Sequence, residues 1–211
     1  MPATAAERAY AHVKDLILSG DVAGGEPVSE LAISDELGIS RTPVHEAFLR
    51  LEGENLISLA SRRGATVTPM APDEARDVLE MREAIECSTA RRVLSGRAKP
   101  QAAQAVEKLR DNVRRQRLQV ETADVDAYLA LDSDFHAILI AASRNAIAQS
   151  FHAVLRDRQH RLRKVLLDVG PDEVRGSFAD HELMLAAAER GDADEFCRLV
   201  STHVRRYRGI L

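Results

Sequence analysis

Apolar residues recur at helical spacing along most of this chain, and the places where the spacing breaks divide it in two. Ala9, Val13, Leu16 and Ile17 share one face of a helix expected over residues 5–18, which Gly20 stops. A second helix, over 30–37, is expected to turn Leu31 and Leu37 inward, and GIS then turns the chain in three residues. The third follows at once as RTPVHEAFLRLEGE. Ser40 or Thr42 is its cap, Pro43 sits in its first turn, and Val44, Ala47, Phe48 and Leu51 form a stripe of period 3.6. Two helices joined by a tight glycine turn, the later one presenting its opposite face to solvent, predict a helix-turn-helix. Beyond it NLISLA and GATVTP predict two strands joined through Ser61, Arg62, Arg63 and Gly64, which is a wing.

After Pro72 the pattern changes to long amphipathic segments. Breaks at SGRAKP, VETAD, SRN, VGPDE and GD predict about six helices, over 73–95, 101–119, 123–142, 145–167, 172–190 and 192–208. The expected fold is therefore mainly α. A winged helix-turn-helix over 1–70 precedes an all-helical bundle over 71–211, with the boundary at 68–72.

Composition narrows the setting. At 211 residues and 45% hydrophobic, the chain can bury a core in each part. No apolar run approaches the roughly 20 residues that cross a bilayer. The two cysteines, Cys87 and Cys197, lie inside apolar helical patterns, and no signal peptide precedes Glu7 and Arg8, so a reducing cytoplasm is the expected location. The net charge of −4 argues against a generally basic nucleic-acid binder, which makes the distribution of charge decisive. Residues 1–70 carry ten acids against six bases, which suits a protein-interaction module. Half of the acids, however, fall on the first two helices, whereas Thr42, His45, Glu46 and Arg50 project from the third beside Arg41, and Arg62 and Arg63 tip the wing. That arrangement fits base edges and phosphates of duplex DNA.

Seven histidines raise a second question. Asp132 and His136, in LDSDFHAILIAA, are four apart and share a helix face, whereas Asp134 is turned from Asp132 by about 200°. His181 and His203 have their midpoint at 192, where the turn between the last two helices is expected, so an antiparallel hairpin brings them to one height. Three imidazoles and a carboxylate directed into a bundle are costly to bury without a partner, and a divalent cation supplies one: Zn first, with Ni, Mn or Fe also suited. His152 and His160 are expected on a solvated face near the charged run RDRQHRLRK.

The stretch LAISDELGISRTPVHEAFLRLEGENLISLASRRGATV resembles the winged helix-turn-helix of the GntR family of bacterial transcription regulators. The matching residues are Leu31, Ala32, Leu37, Gly38, Ser40, Arg41, Thr42, Pro43, Val44, Glu46, Ala47, Leu51, Leu56, Arg63, Gly64 and Val67. The resemblance implies that Arg41, Arg50, Arg63 and Gly64 approach an operator. Three positions depart from it. His45 replaces a common arginine, which removes a permanent charge and a five-donor fork. Asn55 replaces a glycine but tolerates a left-handed backbone. Gly24 and Gly25 replace a Pro-Gly pair and should loosen their loop.

MREAIECSTARR, DSDFHAIL, Arg144 with Asn145, and HELMLAAAERGDADEF followed by His203 are similar to the FCD effector-binding domain of the FadR-type subfamily, in its metal-containing branch. That likeness implies Asp132, His136, His181 and His203 as metal ligands and Arg82 as a contact for a small carboxylate or sugar-acid effector. It also implies a homodimer on a pseudo-palindromic DNA operator, usually as a repressor, with effector binding transmitted through 68–72. Two other readings of the cluster are a metal-dependent hydrolase or lyase, for which no general base can be placed, and a structural metal in a protein-interaction module.

Overall fold

Thr4 opens the first helix by a reciprocal cap: its hydroxyl accepts from Glu7 N at 3.1 Å, and Glu7 Oε2 accepts from Thr4 N at 2.7 Å. The computed structural model describes residues 3–60, 64–69, 71–95, 100–165 and 170–208. Its two compact units are residues 1–72 with 160–166, and residues 73–159 with 167–211.

In the first unit, α1 spans Ala5–Ser19, β1 Pro27–Val28, α2 Glu30–Leu37, α3 Arg41–Gly53, β2 Ile57–Ala60 and β3 Gly64–Val67. Gly20 and Gly38 end α1 and α2 at φ of 81° and 62°, a left-handed backbone that only glycine adopts without cost. Ser29 caps α2 through a bond from Ala32 N, whereas Ser40 stands at the start of α3 without a side-chain cap bond. Val13, Ile17, Ile33, Val44, Phe48, Leu51, Ile57 and Val67 meet in one core.

The wing is antiparallel, with Ile57 opposite Val67 and Leu59 opposite Ala65. β1 adds a short third strand along β3 that the hydropathy pattern does not reveal, because it has only two residues and one is proline, tolerated at a sheet edge. The same pairing ties down the loop expected to be loose: Gly25 N donates to Val67 O at 2.8 Å. Leu31 is also corrected. It is 55% exposed, and Ile33 turns inward in its place. Asn55 takes the left-handed backbone, at φ 57°.

The remaining helices are α4 Pro72–Leu94, α5 Pro100–Thr122, α6 Val125–Ala142, α7 Ala146–Val165, α8 Pro171–Arg190 and α9 Ala193–Arg208. Asp124 caps α6 by accepting from Ala127 N, and Gly191, at φ 66°, makes the turn between α8 and α9. α5 packs against α6 and α8, and α8 against α9. The middle of this bundle is polar: Glu86, Asn112, Gln116, Asp132, His136, Ser177, His181 and His203 are all buried there among Leu109, Tyr128, Phe135 and Met184. Among the described residues, no helix is long and apolar enough to cross a membrane.

The wing and the helix-turn-helix share one small core, so Phe48→Ala should destabilise that unit by about 3–5 kcal/mol, measured by urea unfolding.

Candidate metal centre and nucleic-acid face

The four residues that sequence spacing selects do converge. Asp132 and His136 come from α6, His181 from α8 and His203 from α9, and one ligand atom from each lies within 4.8 Å of all the others. The three imidazole centroids form a triangle with sides of 5.0 Å. Asp134, by contrast, is exposed on the other side of α6, as the helical angle requires.

What surrounds each ring fixes its orientation. His136 Nδ1 lies 2.7 Å from Glu86 Oε2, His181 Nδ1 2.8 Å from Gln116 Oε1, and His203 Nδ1 3.3 Å from Asp180 Oδ2. The His181 tautomer can be traced to a backbone group. Leu131 O can only accept, so Asn112 Nδ2 donates to it at 3.0 Å. Asn112 Oδ1 then accepts from Gln116 Nε2 at 2.6 Å, which leaves Gln116 Oε1 to accept from His181 Nδ1–H. A neutral His181 therefore carries its lone pair on Nε2. Glu86, as a carboxylate, imposes the same tautomer on His136.

Those two bare nitrogens are 3.1 Å apart, and Asp132 Oδ1 lies 3.5 Å from one and 3.9 Å from the other. Lone pairs facing each other beside a carboxylate repel, and protonation gives little relief. Burial first, then the Arg82 guanidinium, hold His136 well below its usual pKa against the pull of Asp132. Burial chiefly lowers His181 to about 3. A cation at the convergence point resolves the conflict. Ligand atoms at about 2.1 Å from a zinc ion can be up to about 4.2 Å apart, close to the separation here. The buried His/Asp group can thus hold a divalent metal.

Sequence reasoning missed the residues that hold the ligands. Ser177 Oγ donates to Asp132 Oδ1 at 3.3 Å and accepts from Tyr128 OH at 2.9 Å. Burial pushes the Asp180 carboxyl up, but His203 and Arg206 outweigh it and leave it below the usual carboxylate range. Arg206 reaches both Asp180 oxygens, and it passes where a Cβ on Gly176 would meet its Nη1 at 2.8 Å. Arg82 is buried, with Nε 2.6 Å from Glu86 Oε1, so it stands behind the His136 partner. His152 corrects an expectation: it is buried rather than solvated, near enough to Glu86 and Arg82 to feel both charges, while His160 is exposed as expected.

On the first unit, Arg41, Thr42, His45 and Arg50 share the exposed side of α3, opposite Val44, Ala47, Phe48 and Leu51. Glu30 of α2 reaches over this side, with Oε1 2.7 Å from His45 Nδ1 and Oε2 3.8 Å from Arg41 Nη2. The Arg50 guanidinium lies 3.6 Å from the centre of the Tyr10 ring and 3.5 Å from Glu54, which also accepts from Tyr10 and Lys14. Gly64 starts β3 at φ 78°. Arg62 and Arg63 lie outside the described residues.

The chain of amides behind His181 generates a direct expectation. Gln116→Leu, which removes the acceptor from Nδ1 at similar volume, should weaken metal affinity about 10–100-fold in a chelator competition assay. Unchanged affinity would contradict the tautomer argument.

Comparison with known proteins agrees with this two-part construction. Residues 5–67 match the model of bacterial regulatory proteins of the gntR family, and residues 77–206 match the FCD domain. The HTH-type transcriptional repressor RspR of Escherichia coli K12 is 30% identical over 185 residues, covering 87% of this chain and 78% of that protein. A probable D-xylose utilization operon transcriptional repressor of Paenarthrobacter nicotinovorans is 26% identical over 90% of this chain and 81% of its own. Among solved structures, E. coli McbR/YncC superposes with a TM-score of 0.78 at 20% identity, covering 99% of this chain and 97% of that one. A putative GntR regulator from Rhodococcus sp. RHA1 gives 0.79 at 17% identity, covering 97% and 95%. A helix-turn-helix with its wing, followed by a helical domain with a buried histidine cluster, is thus the build of a DNA-binding regulator and not of an enzyme, and the chain belongs to the GntR family, with an FCD domain as its second part.

Proposed function

We propose that this chain is a ligand-responsive repressor. Residues 1–70 bind a pseudo-palindromic operator as part of a homodimer, and residues 71–211 hold a divalent metal beside which a small carboxylate or sugar acid binds. The observation that carries the reading is the convergence of imidazole lone pairs and Asp132 on one buried point, in the same chain as a helix-turn-helix. Asp132, His136, His181 and His203 are the ligands. Zinc suits three imidazoles and one carboxylate best, with Ni, Mn and Fe as the other candidates.

Charge favours an anionic effector. The Arg82–Glu86 and Arg206–Asp180 pairs each cancel formally, imidazoles that ligate a metal do so without charge, and Asp132 contributes −1. A divalent ion leaves one net positive charge, which a carboxylate neutralises. When bound, the metal supplies Lewis-acid attraction for that anion. Arg82 is the effector's guanidinium partner in this reading, and it also keeps Glu86 aligned on His136. Repression agrees with the names of the RspR and D-xylose operon relatives.

For DNA, Arg41, Thr42, His45 and Arg50 read or grip the major groove from α3, and Arg62, Arg63 and Gly64 bring the wing to the backbone. Glu30 competes with phosphate for His45 and Arg41, and Tyr10 sets the angle of Arg50. A two-fold dimer needs an apolar face. Ile147, Phe151 and Val154 on α7 provide one, 55–70% exposed at spacings of four and three. The absence of a membrane-spanning helix among the described residues agrees with action in the cytoplasm.

Operator affinity of zinc-loaded protein, measured against a panel of small carboxylates and sugar acids, tests the reading. One acid should change the affinity of the wild type and leave His181→Ala/His203→Ala unaffected, with metal analysis finding no bound ion in that variant. Equal affinities throughout, or full metal retention by the variant, would sink the proposal. Arg41→Ala should weaken specific operator binding by about 1–3 kcal/mol in a gel-shift or anisotropy titration at fixed salt.

A further inference from the structure

Only two cysteines occur in the chain, 110 residues apart in sequence, and the fold brings them together. Cys87 on α4 and Cys197 on α9 approach reciprocally. Cys87 Sγ is 3.8 Å from Cys197 O, and Cys197 Sγ is 3.6 Å from Cys87 O. Each sulfur thus reaches the other residue's backbone carbonyl, and both cysteines are free. Two small apolar side chains would satisfy a tight helix crossing equally well, but this crossing does not sit in a sealed core. Both sulfur-bearing residues line one groove, together with Glu83, Arg91, Arg198 and Arg205. They are only 8% and 4% exposed, which favours a small reagent approaching from the groove over a bulky one.

The pair is chemically unequal. The neighbouring Cys87 thiol first, then the Arg91 guanidinium, hold Cys197 below the usual thiol range although burial opposes them. The neighbouring Cys197, with burial, pushes Cys87 up. One sulfur is thus disposed to act as thiolate and the other to remain a thiol.

We propose that Cys87 and Cys197 are a redox pair that closes into an intramolecular disulfide when a hydroperoxide enters this groove. The Cys197 thiolate attacks one peroxide oxygen, and the O–O bond breaks. Sulfur is oxidised to a sulfenic acid, and the other oxygen leaves as alkoxide or hydroxide, taking up the thiol's proton to give alcohol or water. The Cys87 sulfur then attacks the sulfenic sulfur, the S–O bond breaks, and water leaves with the Cys87 proton. In sum, two thiols and one hydroperoxide give one disulfide, one alcohol or water, and one water. The bond ties α4 to α9, beside Glu86 on one helix and upstream of His203 on the other, so it joins two elements that hold the metal cluster.

The test uses the reduced, zinc-loaded full chain exposed to hydrogen peroxide and to cumene hydroperoxide, read by thiol titration after denaturation, intact mass and a non-reducing gel. Both thiols should disappear together, with a mass loss of two hydrogens, no cross-linked dimer, and full recovery with dithiothreitol. In Cys87→Ser, a dimedone adduct should form at Cys197; in Cys197→Ser, Cys87 should stay unmodified. Persistence of both thiols in the native protein would overturn the proposal, and so would a disulfide between chains or oxygen addition without hydrogen loss. The wild-type readout decides even if a serine variant folds poorly.

Discussion

A single backbone carbonyl, Leu131 O, sets the chemistry at the centre of this protein. It can only accept, so it orients Asn112, which orients Gln116, which fixes the proton of His181 on Nδ1 and leaves Nε2 bare. Leu131 is next to Asp132 on α6, so one turn of helix supplies both a ligand and the reference point that aims another. Glu86 from α4 and Asp180 from α8 face the other two rings. Side chains on α4, α5, α6, α8 and α9 thus end at one point whose electrostatics favour a cation. An apolar core would impose no such requirement, and burying this much polar surface is tolerable only because nearly every group has a defined partner.

The exposed side of α3, which we propose faces DNA, follows a similar logic with weaker constraints. Its basic residues are not loose charges. Arg50 is stacked on Tyr10, and His45 and Arg41 are drawn toward Glu30. Exposed pairs of this kind contribute little to stability, so their effect is on where the side chains point before a duplex arrives. His45 is shorter than an arginine and lacks its permanent five-donor fork, and Glu30 partners it here.

Much of this could be read from the sequence. The boundaries of α4 to α9 fall within three residues of the expected ones, because Gly, Pro, Asp or Asn marks each break. Asp132 was separable from Asp134 by helical angle alone, and His181 and His203 by the symmetry of a hairpin about Gly191 and Asp192. The residues behind the ligands were not legible, because Gln116 and Glu86 lie on helices distant in sequence and no local pattern relates them to His181 or His136. Asp180 had a signal, since it is adjacent to His181. His152 had one as well. Ala148, His152, Leu155, Gln159 and Leu162 are all buried and recur at helical spacing, and the charges between them hide that stripe. Leu31 shows the opposite failure: on a helix of eight residues, one apolar side chain outside the core shifts the apparent inward face.

We propose that three imidazoles and one carboxylate coordinate a divalent ion inside the bundle. X-ray absorption at the metal edge, on protein purified without chelator, tests it most directly. One metal per chain is expected, with three imidazole ligands, recognisable by their multiple-scattering pattern, and oxygen in the remaining shell. Sulfur in the first shell, fewer than three imidazoles, or no bound metal at all would contradict it.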